Sequence, residues 1–316
     1  MTILIDTSGS VGHVAVAAAA AESLRSDLEL MLVGDQHQIS QWLAEVGYDP
    51  AHLEVCHAPV GVSQAARKLE EIGGGALVTA APSEEVVAAA RTQMTLLEGA
   101  KPALCAVYPT ARRRGDRQDP FVLILDVGAS FEASDTDLYT YARMGAAYAS
   151  RVSRNHRPKV AVLAQEIAGL WGPAAAVEAL SRLEADTNMD CVGAVGGNEV
   201  CYGASDVIVT SGFVGNTVAR LLEGVGEVAR QVAESAQDSS VRWRMAYKVV
   251  EPELNSMLAF TDWKEYGGAP LLGYDKPVLV ADPTADVEAL QRAIRLAAKA
   301  IRLDVVGAVA KGLGAA

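Results

Sequence analysis

Short β-branched runs alternate with longer alanine-rich stretches along the whole chain, and no other feature limits the available folds so strongly. Residues 2–6, 28–33, 53–57, 75–80, 103–108, 121–126, 159–164, 189–193, 206–210 and 277–280 read as strands, most of them continuously apolar. A strand apolar on both faces has to be covered on both sides, and helices between successive strands make the sheet largely parallel. The pattern predicts a doubly wound α/β fold. Ser134 followed by Asp137 resembles a capping box, and Leu138, Tyr141, Ala142, Gly145 and Tyr148 recur at helical spacing, which places a helix over about 135–152. Two helices are expected in an extra segment near 215–262, and 286–311 reads as one final helix. The 316 residues are taken as a single α/β unit, softly subdivided into 1–130 and 131–316.

Charge and cysteine usage narrow the function classes. The formal net charge is −12, so most of the surface repels a phosphodiester backbone and nucleic acid is not an expected partner. The opening residues Met1 to Asp6 lack a basic leader, and no stretch of eighteen apolar residues occurs. A cytoplasmic protein with at most peripheral membrane contact is expected. Cys56, Cys105, Cys191 and Cys201 fall at no metal-like spacing and read as reduced, mostly buried thiols. The histidines His13, His37, His52, His57 and His156 are scattered, so neither a metal nor a cofactor is expected. Cys201 has nothing near it in sequence that would lower its pKa, and His57, at a strand end, reads as a hydrogen-bonded structural residue.

Three basic features interrupt the acidic background. Arg112, Arg113, Arg114 and Arg117 lie between two strands, and Arg151, Arg154, Arg157 and Lys159 follow the 135–152 helix. Both clusters suit solvated loops and helix C-terminal charge, and the first is also a candidate docking patch for an acidic partner. Between Arg242 and Lys248 cations alternate with large apolar groups, which fits a dimer seam better than a membrane edge.

Ligands of open α/β sheets bind beyond the carboxyl ends of strands, so the turns there carry the functional reading. Asp6 to Gly12, Ala80 to Glu85, Asp126 to Ser130, Gly193 to Glu199 and Ser211 to Asn216 occupy such places, several of them rich in Gly, Ser and Asn. Turns of this kind can aim backbone N–H groups and a helix N-terminus at an anion, commonly a phosphate. None matches the dinucleotide fingerprint or the P-loop. The candidate cradle is Ser8, Gly9 and Ser10, with Gly128, Ser130, Gly212, Gly215 and Asn216. Asn216 is the strongest polar candidate, since its amide can donate to a phosphate or carbonyl oxygen. Pro82 suits the first helical position, so Glu84 and Glu85 are expected in a first helical turn, where they satisfy the dipole and repel phosphate.

The segment Tyr266 to Gly273, supported in order by Leu32 to Asp35, Tyr108 to Thr110, Leu125 to Ala129, Met144 to Ala149 and Gly212 to Asn216, resembles the PlsX-type phosphate acyltransferases. These make acyl phosphate from an acyl carrier protein thioester and inorganic phosphate. The resemblance implies a Rossmann-like fold akin to the isocitrate dehydrogenase type, a homodimer, and work in fatty acid and phospholipid metabolism. It implies phosphate and acyl binding at Tyr266, Gly267 and Gly268 as well as at the cradle, with Asn216 catalytic and Arg112, Arg113, Arg114 and Arg117 docking the carrier. Several family motifs are altered: the opening turn is Asp6 to Val11 without its second carboxylate, the glycine-containing loop is Thr79 to Glu84, and the late histidine motif is Asp282 to Ala285. The alternative is therefore a catalytically silent relative that binds an acyl carrier or a partner subunit as a scaffold.

Overall fold

The computed structural model describes residues 1–25, 28–59, 61–111, 121–153, 155–165, 172–239, 245 and 267–314. Among the described residues eleven strands form one sheet in the spatial order β3-β2-β1-β4-β11-β10-β5-β6-β9-β7-β8. They are β1 (Thr2–Asp6), β2 (Glu29–Gly34), β3 (Leu53–His57), β4 (Ala76–Thr79), β5 (Ala103–Pro109), β6 (Phe121–Leu125), β7 (Lys159–Leu163), β8 (Asp190–Val195), β9 (Val207–Val209), β10 (Ala269–Leu272) and β11 (Val278–Val280). The doubly wound α/β expectation is borne out. The first half of the sheet is parallel, as is the second, but β10 pairs antiparallel with both β11 and β5, and β5 pairs antiparallel with β6. The two halves consequently run in opposite directions.

Alternation along the strands decides which helix covers which face. Leu4, Leu77, Leu104 and Ile124 point to one face, beneath α3 (Gly61–Glu71), α4 (Ser83–Gln93) and α7 (Gly212–Ser239). Their neighbours Ile3, Val78, Cys105 and Leu123 point to the other. That face is covered by α1 (Gly12–Ser23), α5 (Asp135–Val152), α6 (Ala174–Ala185), α8 (Val287–Arg302) and α9 (Val305–Gly314), while α2 (Gln36–Leu43) packs at the β3 end.

The capping box is real: the Ser134 hydroxyl accepts the Asp137 N–H at 3.1 Å, and the Asp137 carboxylate accepts the Ser134 N–H at 3.1 Å. Three expectations change. Ala269–Leu272, read only as motif, is a strand. The stretch 286–311 is two helices rather than one, broken at Asp304, whose φ is +48° and whose carboxylate accepts the Gly307 N–H at 3.2 Å. Cys105 alone among the cysteines is buried, and the other three are half-buried free thiols. Of the extra helical segment, α7 is described, and 240–244 and 246–266 lie outside the described residues.

Candidate active-site cleft

The cleft is built from α7 outward. Gly212 and Gly215 let this helix start in contact with the turn after β6: a Cβ at Gly212 would collide with the Ser130 carbonyl and the Asp126 carboxylate, and one at Gly215 with the Asp126 carbonyl. Four residues further along, at helical spacing, Asn216, Ala219, Arg220 and Glu223 form one face of α7 and wall a cavity of about 320 Å³. The opposite wall is the entry to α4 at Ala81 to Glu84, with Asp282 and Pro283 after β11. Leu104, Ala106 and Val127 supply apolar surface. A mostly apolar cavity of this size with a few convergent polar groups is the usual form of a small-molecule site.

Its polar groups come from few side chains. The Arg220 guanidinium donates to the Glu223 carboxylate at 2.9 Å and lies 4.0 Å from that of Asp282. Burial pushes the Glu223 carboxyl above the ordinary carboxylate range, against the opposing pull of Arg220. Asn216 is exposed to the cavity, and its amide has no hydrogen-bond partner among the described residues. The first N–H groups of α4, at Ser83 and Glu84, have no intrahelical acceptor. Glu84 and Glu85 do occupy the first turn of α4, but Pro82 is the N-cap residue rather than the first helical one.

The chain matches the family described as fatty acid synthesis protein over residues 1–307. It belongs to that family. Phosphate acyltransferase from Anoxybacillus flavithermus is 29% identical, over 99% of this chain and 98% of the relative, and that from Gloeothece citriformis is 28% identical over 92% and 87%. The family resemblance carried by the Gly212 and Tyr266 segments is thereby borne out. Among solved structures, EutD phosphotransacetylase from Staphylococcus aureus superposes with a TM-score of 0.57 at 14% identity, covering 94% of this chain and 93% of that one. A branched-chain phosphotransacylase from Enterococcus faecalis gives 0.57 at 13%, covering 95% and 99%. At such identities these neighbours share the fold.

Against this fatty acid synthesis family background, the expected cradle divides. The turn after β1 and the turn after β6 leave opposite edges of the sheet, because the two halves run in opposite directions. At the first edge Ser8 donates to Asp6 Oδ1 through its hydroxyl at 2.5 Å, and the Ser10 hydroxyl donates to the Pro283 carbonyl at 3.2 Å. Gly9 lies between them, near the Ala80 carbonyl. None of the three lines the cavity, though Ser10 braces the loop that does. At the second edge the N–H groups of Gly128 and Ser130 and the Ser130 hydroxyl all donate to the buried Asp126 carboxylate, at 3.1, 2.6 and 2.8 Å. Those donors face an internal carboxylate instead of open space.

Of the predicted set, Asn216 and Gly268 line the cavity, while Gly267 packs against the α8 backbone at Arg292. Tyr266, Arg112, Arg113, Arg114 and Arg117 lie outside the described residues, as do Arg154 and the 242–248 run apart from Met245. His57 sits on β3 and accepts the Gln36 N–H through Nδ1 at 3.2 Å, away from the cavity. Burial raises the Cys201 thiol pKa, so it is a poor nucleophile. Among the described residues no group of three or more His, Cys, Asp or Glu is placed to hold a metal ion, and no helix is long and apolar enough to cross a membrane. Arg220, Glu223 and Asp282 were not nominated from sequence. Arg220 and Glu223 stand four and seven residues after Asn216, a spacing that marks the same helix face.

Proposed function

We propose that this member of the fatty acid synthesis protein family transfers an acyl group from a thioester to inorganic phosphate in the cleft beneath α7. The observation that carries the proposal is the shared face of Asn216 and Arg220, an unengaged amide and a guanidinium set against apolar walls. In the reaction a phosphate oxygen forms a bond to the carbonyl carbon, the carbon–sulfur bond breaks, and the phosphate proton ends on the departing sulfur. No covalent enzyme intermediate is required; positioning and oxyanion donors suffice. Arg220 exchanges part of its pairing with Glu223 for phosphate, and the Asn216 amide donates to the carbonyl oxygen as it gains charge. Glu223, with its raised pKa, takes the phosphate proton and returns it to sulfur. The apolar residues Leu104, Ala106 and Val127 contact the acyl chain.

The donor in this reading is an acyl carrier protein thioester, and the protein acts as a cytoplasmic homodimer. Mixing the protein with acyl carrier thioester and phosphate is expected to release free thiol and an acyl phosphate that hydroxylamine traps. Absence of both across a range of acyl chains would contradict it.

One observation favours a second reading. Glu223 and Asp282 lie within 4.0 Å of the Arg220 guanidinium and Glu84 lines the same cavity, so three carboxylates share the described cleft with one guanidinium, an unfavourable field for a phosphate dianion. A relative that holds an acyl carrier without turning it over fits that field. It predicts saturable carrier binding with no thiol release.

A further inference from the structure

The opposite face of the sheet carries a second concavity, of about 330 Å³, between α5, α9 and the loops entering β7 and β8. Its charge is opposite to that of the chain. Arg143 from the middle of α5, Arg151 from its last turn, Arg157 from the loop before β7 and Lys311 from α9 all line it, with His156 beside them. None of the four permanent cations makes a salt bridge with a described residue. Of the two carboxylates present, Asp186 is committed to the Tyr139 hydroxyl at 2.7 Å and the Asn188 N–H at 2.9 Å. Asp190 is the other.

Helix C-terminal charge accounts for Arg151 and Lys311. It does not account for Arg143, eight residues before the last turn's Arg151, or for Arg157 in a loop. Arg143 lies over the Tyr139 ring, 5.7 Å from its centroid, and against the opposing effect of burial helps to lower the Asp186 carboxyl, but no described carboxylate pairs with it directly. In a chain of net charge −12, three separate segments converge cations without salt-bridge partners among the described residues on one hollow while acids are plentiful elsewhere. Guanidinium groups are planar forks that match phosphate oxygens in pairs, and several of them suit more than one phosphoryl group. The hollow has the volume of a small-molecule site.

We infer that this hollow binds a small diphosphate-bearing molecule, at a site separated from the α7 cleft by the sheet. Ala146 and Ala147 along α5 and Met189 before β8 provide the apolar wall for whatever the diphosphate is attached to.

Isothermal titration of the whole chain at low salt with inorganic pyrophosphate and with ADP tests this, inorganic phosphate serving as the weak reference. Pyrophosphate is expected to bind at one site at least tenfold more tightly than phosphate. The Arg143→Gln/Arg157→Gln double variant should lose at least tenfold in affinity, and Lys311→Gln should lose less. Affinity should fall steeply with salt. Equal binding of ADP and pyrophosphate assigns recognition to the diphosphate alone, whereas tighter ADP binding adds contacts to the base. Because the α7 cleft is itself proposed to take phosphate through Arg220, the titrations are repeated in Arg220→Gln, where that cleft is disabled; the tenfold preference for pyrophosphate and its tight site should persist there. Loss of pyrophosphate binding in Arg220→Gln but not in the double variant would overturn the inference. So would pyrophosphate binding no better than phosphate, which would leave the hollow to an acidic polypeptide or to solvent.

Discussion

Asn216 is the residue on which the catalytic reading turns, because it combines exposure to the cavity with an amide that no described residue engages. Replacing it with Ala should lower kcat by about 10²–10³, the usual effect of removing one oxyanion donor. Its melting temperature should be unchanged, since no packing is lost; the two readouts together separate chemistry from folding. Asp126 is expected to behave in the opposite way. Its carboxylate collects N–H groups from Leu104, Gly128, Ala129 and Ser130 together with the Ser130 hydroxyl, and it is fully buried. Asp126→Ala would leave those donors orphaned and should destabilise the fold by roughly 3 kcal/mol or more, at about 1–3 kcal/mol per buried unsatisfied group. Denaturant unfolding checks this. The contrast explains what sequence could and could not yield at this scale. Gly128 and Ser130 sit in the kind of turn that binds anions, and the anion they bind is the protein's own, two and four residues upstream. Asn216, singled out from sequence, lines the cavity, whereas Arg220 and Glu223 look like any charges on a helix until the cavity shows which face they share.

Among the elements, the antiparallel β10–β11 pair shapes the cleft, since the entry to β10 and the exit from β11 both line it. Its turn is tied to α3 by Lys276, which donates to Glu70 at 2.8 Å and to Asp275 at 3.0 Å. Burial opposes ionisation of Glu70, but the Lys276 ammonium and the Thr95 N–H outweigh it and hold the carboxyl below its ordinary value of 4.5. A depressed carboxylate contributes stability that is present above that ordinary value and is lost as pH falls through the folded one. Glu70→Gln should therefore cost about 1.5–3 kcal/mol near neutrality, the range for a hydrogen bond to a charged group. The difference from wild type should shrink below pH 4.5 in acid-unfolding curves. Lys276 is raised in turn, which leaves its protonated form intact across the whole of that range. β10 escaped the sequence reading because four residues containing Pro270 carry too little periodicity to announce a strand. The α8–α9 break escaped for the converse reason: apolar spacing continues through Asp304, while the backbone turns into the left-handed region there. By contrast, the 135–152 helix carried both its cap and its stripe, and sequence located it to the residue.

Across the whole molecule, the α/β class was legible because continuously apolar strands require cover on both sides; the reversal between sheet halves was not. It depends on β5 turning back antiparallel onto its chain neighbour β6 and on β10 arriving from the far end of the chain to pair antiparallel with β5 and β11, choices that apolar runs alone do not specify. That reversal separates turns that a uniformly parallel sheet would have gathered at one rim, and it makes α7 the element that faces the cavity. Net charge bears on partners at this scale too. Reversing Arg112, Arg113 and Arg114 to Glu should weaken acyl carrier affinity in a salt-dependent manner, because carrier and chain are otherwise both acidic. Surface-immobilised carrier at two ionic strengths would read it, and an unchanged affinity would remove the docking role. The central claim is that the Asn216 and Arg220 face of α7 holds phosphate beside the acyl carbonyl. Thiol release from acyl carrier thioester, followed against phosphate concentration in wild type and Arg220→Gln, measures that directly: the account predicts a KM for phosphate at least tenfold higher in the variant, and an unchanged KM would contradict it.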